Sequence, residues 1–136
     1  FDAGCILNLT RELGDRVVDV MKGNMTISLA HYELGNTIWK ECVLAKRLTV
    51  DEAVETLKFV FSLLDLMKVI QIKDVNLGVK VLSNASKLKI TYYDAAYLTV
   101  AQEADRVLVS DDEKLIGASR KVGVKTSPGK IFAEKQ

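Results

Sequence analysis

The chain has 136 residues, 49% of them hydrophobic, and its 19 basic and 18 acidic side chains leave a formal charge of +1. That length and apolar content suit one self-sufficient domain, while the near-neutral balance excludes the broad basic field of a nonspecific nucleic-acid binder, so any contact with a polyanion must come from a local patch. Cys5 and Cys42 fall in no metal-binding spacing, no apolar run nears the ~20 residues of a membrane span, and the opening lacks a signal-peptide layout, which together predict a reduced, cytoplasmic setting.

Phe1 reads as the tail of a first strand ending at Asp2. Because strands commonly run to about five residues, the natural protein is expected to begin a little earlier. Residues 25–28, Met-Thr-Ile-Ser, read as the next strand, and Ala30, Leu34, Ile38, Cys42 and Ala45 then recur at helical steps, predicting a helix over 30–46. Thr49 with Glu52 has capping-box spacing and opens a longer helix whose apolar residues, from Ala53 to Met67, cover more than one face. That excess predicts contact with another protein. Residues 69–72 form a further strand, and Asp74 can cap a helix carrying Val75, Val79 and Leu82. Thr91 and Asp94 have box spacing ahead of another helix, residues 106–109 read as a strand, Ser110 with Glu113 repeats the box spacing, and 124–126 form a weaker strand. No repeat or linker interrupts this order, and the one proline, Pro128, sits in a turn. Helices alternating with short apolar strands predict one α/β domain over 1–136, three layers deep, with a mostly parallel sheet of about five strands that binds ligands at their carboxyl ends.

Four acids fall where that scheme places ligands. Asp2 ends the first strand, Asp112 follows the strand ending at Val109, and Glu33 and Asp94 lie early in two helices. Clustered carboxylates repel one another and raise each other's pKa unless a cation is present, so such a set points to hard Mg2+ or Mn2+. Each acid alone has a plainer explanation: Asp94 and Asp112 can serve helix starts, and Glu33 can be a solvated helix residue. Their joint order is what favours a site. The lone histidine, His31, is read as structural, and Trp39, Phe59 and Phe61 as packing rather than base-stacking residues.

The segments Phe1-Asp2-Ala3-Gly4, Glu33-Leu34-Gly35-Asn36, Tyr93-Asp94-Ala95-Ala96-Tyr97 and Ser110-Asp111-Asp112-Glu113-Lys114-Leu115, in that order, resemble the PIN-domain family, and its VapC-type toxins in particular. The resemblance implies a PIN-like nuclease fold over the whole chain. It assigns Asp2, Glu33, Asp94 and Asp112 as catalytic metal ligands for Mg2+ or Mn2+, with Ser110, Asp111 and Asn36 in support. It further implies hydrolysis of RNA that leaves a 5′ phosphate and 3′ hydroxyl, a cognate antitoxin, and a homodimer. The chain departs from the family in having Gly4 where a Thr or Ser usually follows the first Asp. Two other classes compete with this reading. An acid-metal phosphatase is opposed by the missing Asp-x-Asp-x-Thr opening, and an inactive PIN-like protein-binding scaffold by retention of all four acids.

Overall fold

The computed structural model describes residues Phe1–Gln136 as a mixed α/β fold in which helices dominate. Helices α1 (Ala3–Leu13), α2 (Val17–Met21), α3 (Leu29–Trp39) and α4 (Val50–Leu66) occupy the first half, with strand β1 (Met25–Ile27) between α2 and α3. Strand β2 (Lys68–Ile70), helices α5 (Val75–Leu88) and α6 (Tyr92–Glu103), strand β3 (Leu108–Val109), helix α7 (Glu113–Lys121), strand β4 (Thr126–Ser127) and helix α8 (Gly129–Glu134) complete the chain.

Local signals explain most helix starts. The Thr49 hydroxyl accepts the Glu52 N–H at 3.1 Å while Glu52 accepts the Thr49 N–H at 3.0 Å, so the box opening α4 is complete. Asp74 caps α5 through the Leu77 N–H, and Thr91 caps α6 through the Asp94 N–H. The helix expected over 30–46 instead ends as α3 at Trp39 and continues as a wider π-helical turn over Lys40–Leu44. That turn exposes Val43 and Leu44, the end at which the apolar stripe loses its burial.

The strand expectations hold in position but not in extent. β1 pairs with β2, and β3 with β4, both in parallel, as two separate two-stranded sheets rather than one sheet of five. Phe1 and Asp2 bridge the two pairs. The Phe1 nitrogen donates to the Met25 carbonyl at 2.9 Å, the Thr26 hydroxyl donates to the Phe1 carbonyl at 2.8 Å, and the Asp2 N–H donates to the Val109 carbonyl at 3.2 Å. The predicted first strand is present only as this bridge. An apolar cavity of about 140 Å³ lies beside it, between β1 and β3.

Two clusters of buried side chains flank the strands. α1 to α4 contribute to one, joined by Val109, and α5 to α7 to the other, joined by Ile27 and Leu108. Neighbouring residues of β3 therefore enter opposite cores, as the alternation of a strand requires. This arrangement puts the carboxyl ends of β1 and β3 beside the starts of α3 and α7, from which Glu33 and Asp112 come.

Candidate active site

Asp2 is a buried N-cap. Its Oδ1 accepts the Cys5 N–H at 2.9 Å, and its Oδ2 accepts the Ser110 hydroxyl at 2.5 Å. Ser110 is fully buried and its oxygen also accepts the Asp112 N–H at 3.0 Å, so one hydroxyl ties Asp2 to the turn carrying Asp112. The capping box expected from Ser110 and Glu113 does not form. α7 starts later, and Asp112 caps it by accepting the N–H groups of Lys114 and Leu115 at 2.9 and 3.3 Å. The Ser110 hydroxyl accepts from the Asp112 amide two residues on rather than from that of Glu113, while its proton makes a charge-assisted bond to the Asp2 carboxylate.

Glu33 lies one turn into α3 and is half-buried, its Oε1 accepting the Tyr97 hydroxyl at 2.6 Å. Asp94 stands three residues before Tyr97 on α6, and that spacing sets both on one helix face. Asp111, exposed beside Asp112, accepts the Gly129 N–H at 2.9 Å and the Asn8 side-chain amide at 3.1 Å. Asp2, Glu33, Asp94, Asp111 and Asp112 together line one recess of about 330 Å³, shared with Asn8, Thr37 and Tyr97. Of the residues expected in support, Ser110 and Asp111 brace the site as described. Asn36 is exposed on α3 outside the recess lining, and Thr37, one turn beyond Glu33, is at the wall instead.

Burial pushes the carboxyl of Asp2 above its ordinary range, against the Ser110 and Cys5 hydrogen bonds, with the charge of Asp111 adding to the rise. Burial likewise raises Glu33, opposed by the Tyr97 bond and reinforced by Asp94 and Asp2. Asp94 is raised by burial and then by the charge of Asp112. Three acids thus hold their protons more tightly than free carboxyls, partly because each feels another. No three His, Cys, Asp or Glu side chains close on a common point as a finished ligand set. The carboxylates lining the recess are nonetheless hard oxygens under mutual repulsion, a set that fits a hard divalent cation, and the one sulfur in the lining, Cys5, is buried and holds its proton.

Other nucleophiles and bases are poorly placed. Burial pushes the Cys5 thiol far up, and burial with the Glu33 bond does the same to the Tyr97 hydroxyl. His31 turns toward the Ser28 carbonyl and packs edge-on against Phe61 at 5.2 Å, which makes it structural as expected. Tyr97, Thr37 and Asn8 were missed in the sequence. Helical spacing, of Tyr97 from Asp94 and of Thr37 from Glu33, was the signal that could have found two of them.

No family model matches the sequence. Over 94 residues the chain is 32% identical to a protein named Exonuclease VapC9 from Pyrobaculum aerophilum, a match covering 69% of this chain and 65% of that one. The matched stretch thus spans less than two thirds of the VapC9 sequence. In three dimensions the chain is similar to the crystal structure of PAE2754, also from Pyrobaculum aerophilum, with a TM-score of 0.74 and 27% identity over 98% of this chain and 90% of that one. That agreement reaches nearly end to end, well beyond the sequence match to VapC9. The similarity to VapC9 runs in the direction of the VapC resemblance read from the acidic segments.

Proposed function

We propose that the chain is a PIN-type nuclease of the VapC kind that hydrolyses RNA phosphodiester bonds within the strand. The reading rests on one observation: acids from four separate stretches of chain, Asp2, Glu33, Asp94 and Asp112, line a single recess. Mg2+ or Mn2+ would be held among these four, and when bound supplies an acidified water and offsets charge on the phosphate. Ser110 favours the ionised form of Asp2 and aims it by donating to its Oδ2, and Tyr97 fixes Glu33 with one oxygen engaged and the other free. Asp112 commits Oδ1 to the start of α7, leaving Oδ2 for the recess. No side-chain nucleophile is required.

The same reading, supported by the similarity to VapC9, takes the chain as a cytoplasmic toxin restrained by a cognate antitoxin and acting as a homodimer. Apolar side chains left exposed on α4 (Val54, Phe61, Leu66) and α5 (Val75, Val79, Leu82) are available for such contacts. The decisive experiment incubates linear and circular RNA with the wild type, Asp2→Asn and Asp94→Asn, in Mg2+, Mn2+ or chelator. Cut circles in metal alone, and at least a hundredfold less cleavage by both variants, are expected, on the scale of lost charge stabilisation at a reacting centre. Cleavage that persists undiminished in both variants sinks the assignment, and hydrolysis of small phosphate monoesters in place of RNA would turn it toward a phosphatase.

A further inference from the structure

The short helix α8 meets the recess from behind at three points that the proposed chemistry does not use. At the first, Asp111 accepts the N–H of Gly129, which begins α8, with Oδ1 at 2.9 Å, and the Asn8 amide of α1 with Oδ2 at 3.1 Å. At the second, the ring of Phe132 stands edge-on to that of Phe1 with centroids 5.3 Å apart. At the third, Gly129 is buried so closely against α1 that a Cβ there would lie 2.5 Å from Cys5 Sγ and 3.3 Å from Leu9. Only glycine fits that approach.

Each contact ends next to a residue of the site. Asp111 precedes Asp112, Phe1 precedes Asp2, and Cys5 donates its N–H to Asp2 Oδ1. Both Asp111 oxygens are already engaged by donors from two helices. Those donors, a backbone amide of α8 and a side-chain amide of α1, tie two helices to the turn that carries Asp112. We propose that α8 is a clasp: through Asp111, Gly129 and Phe132 it sets the separation of Asp2 from Asp112, and Asp111 is a positioning residue, not a ligand. The consequence for metal rests on the nuclease reading, whereas the geometry does not.

A helix that merely covers α1 would depend on Phe132 and Ala133, which join the core beside α1, and not on a carboxylate at the surface. The test therefore uses Asp111→Ala, Asp111→Asn, Gly129→Ala and the double variant Cys5→Ala/Gly129→Ala. Amide hydrogen exchange of the metal-free protein and calorimetric titration with Mn2+ are the readouts. Asp111→Ala is expected to speed exchange at the Cys5 and Asp112 amides about tenfold relative to those of α6. Mn2+ binding should weaken by about tenfold to a hundredfold, the usual cost of losing a group that orients a ligand. Asp111→Asn, which keeps an acceptor for Gly129, should recover part of both. Gly129→Ala should behave like Asp111→Ala, and removing the Cys5 sulfur in the same chain should return it toward wild type. Unchanged exchange at Cys5 and Asp112 in Asp111→Ala overturns the clasp, and so does acceleration spread evenly through α5 and α6. Should the wild type bind no Mn2+, the nuclease reading fails while the exchange data still decide the clasp.

Discussion

Replacing Ser110 by Ala removes one oxygen that serves two site acids at once. The hydroxyl donates to the buried Asp2 carboxylate and accepts from the Asp112 N–H, and no part of Ser110 reaches solvent. A hydrogen bond to a charged group contributes about 1.5–3 kcal/mol, and an amide left without a partner in a part-buried position costs about 1 kcal/mol more. Asp2 keeps its bond from Cys5, and alanine leaves almost no void, so the expected loss is about 2–4 kcal/mol at pH 7. In a domain of this size that corresponds to a melting temperature lower by roughly 10 °C. The Ser110 bond favours the ionised form of Asp2, so the loss should shrink at acid pH, where Asp2 is protonated in both proteins. Urea unfolding of the metal-free wild type and variant at pH 7 and pH 4.5 measures both quantities. A difference under about 0.5 kcal/mol, or one that is the same at the two pH values, would refute the coupling between Ser110 and the Asp2 charge.

Raised pKa values at Asp2, Glu33 and Asp94 carry a sign that can be measured. The unfolded acids ionise first as pH rises from about 4, so the metal-free fold should lose stability between that point and the raised values. Thermal melts across pH 4–7 should therefore show a decline that saturating Mg2+ or Mn2+ abolishes, and a flat profile without metal would contradict the clustering. Tyr97→Phe keeps the ring but frees Glu33, and should weaken Mn2+ binding about tenfold by calorimetry while costing only about 1 kcal/mol of stability. Equal affinity in the two proteins would assign Tyr97 to packing alone. Gly4→Ala should stabilise α1 by about 0.5–1 kcal/mol in chemical denaturation, because nothing lies within 4 Å of a Cβ at that exposed helical position. Destabilisation there would mean that the start of α1 needs glycine for a reason other than space.

What the sequence revealed was local or patterned. Thr49, Asp74 and Thr91 announce helix starts because cap and amide lie within three residues, and strand positions follow from short apolar runs that the structure keeps in place. The four acids were legible through order and context, and they do line one recess. What escaped depends on partners far along the chain. Ser110 matches a local capping pattern but is taken by a carboxylate 108 residues away, and Tyr97 serves Glu33 across 64 residues. Pairing extent was equally hidden: β3 and β4 share only two residues, because register and length are set by neighbours that no single segment reports. The same limit applies to Asp111, where spacing separated it from Asp112 but gave no sign of its bonds to Asn8 and Gly129.

The split between the strand pairs has a mechanical consequence. Since no ladder rung joins β1 to β3 directly, the halves are stitched by the backbone of Phe1 and Asp2 and, across the recess, by the link from Tyr97 to Glu33. On the nuclease reading, a cation gripped by acids from both halves would add a rivet across that seam, so that capturing it and stiffening the whole fold would be a single event. Loading the recess should therefore be felt as far away as β2 and β4, the far strands of the two pairs.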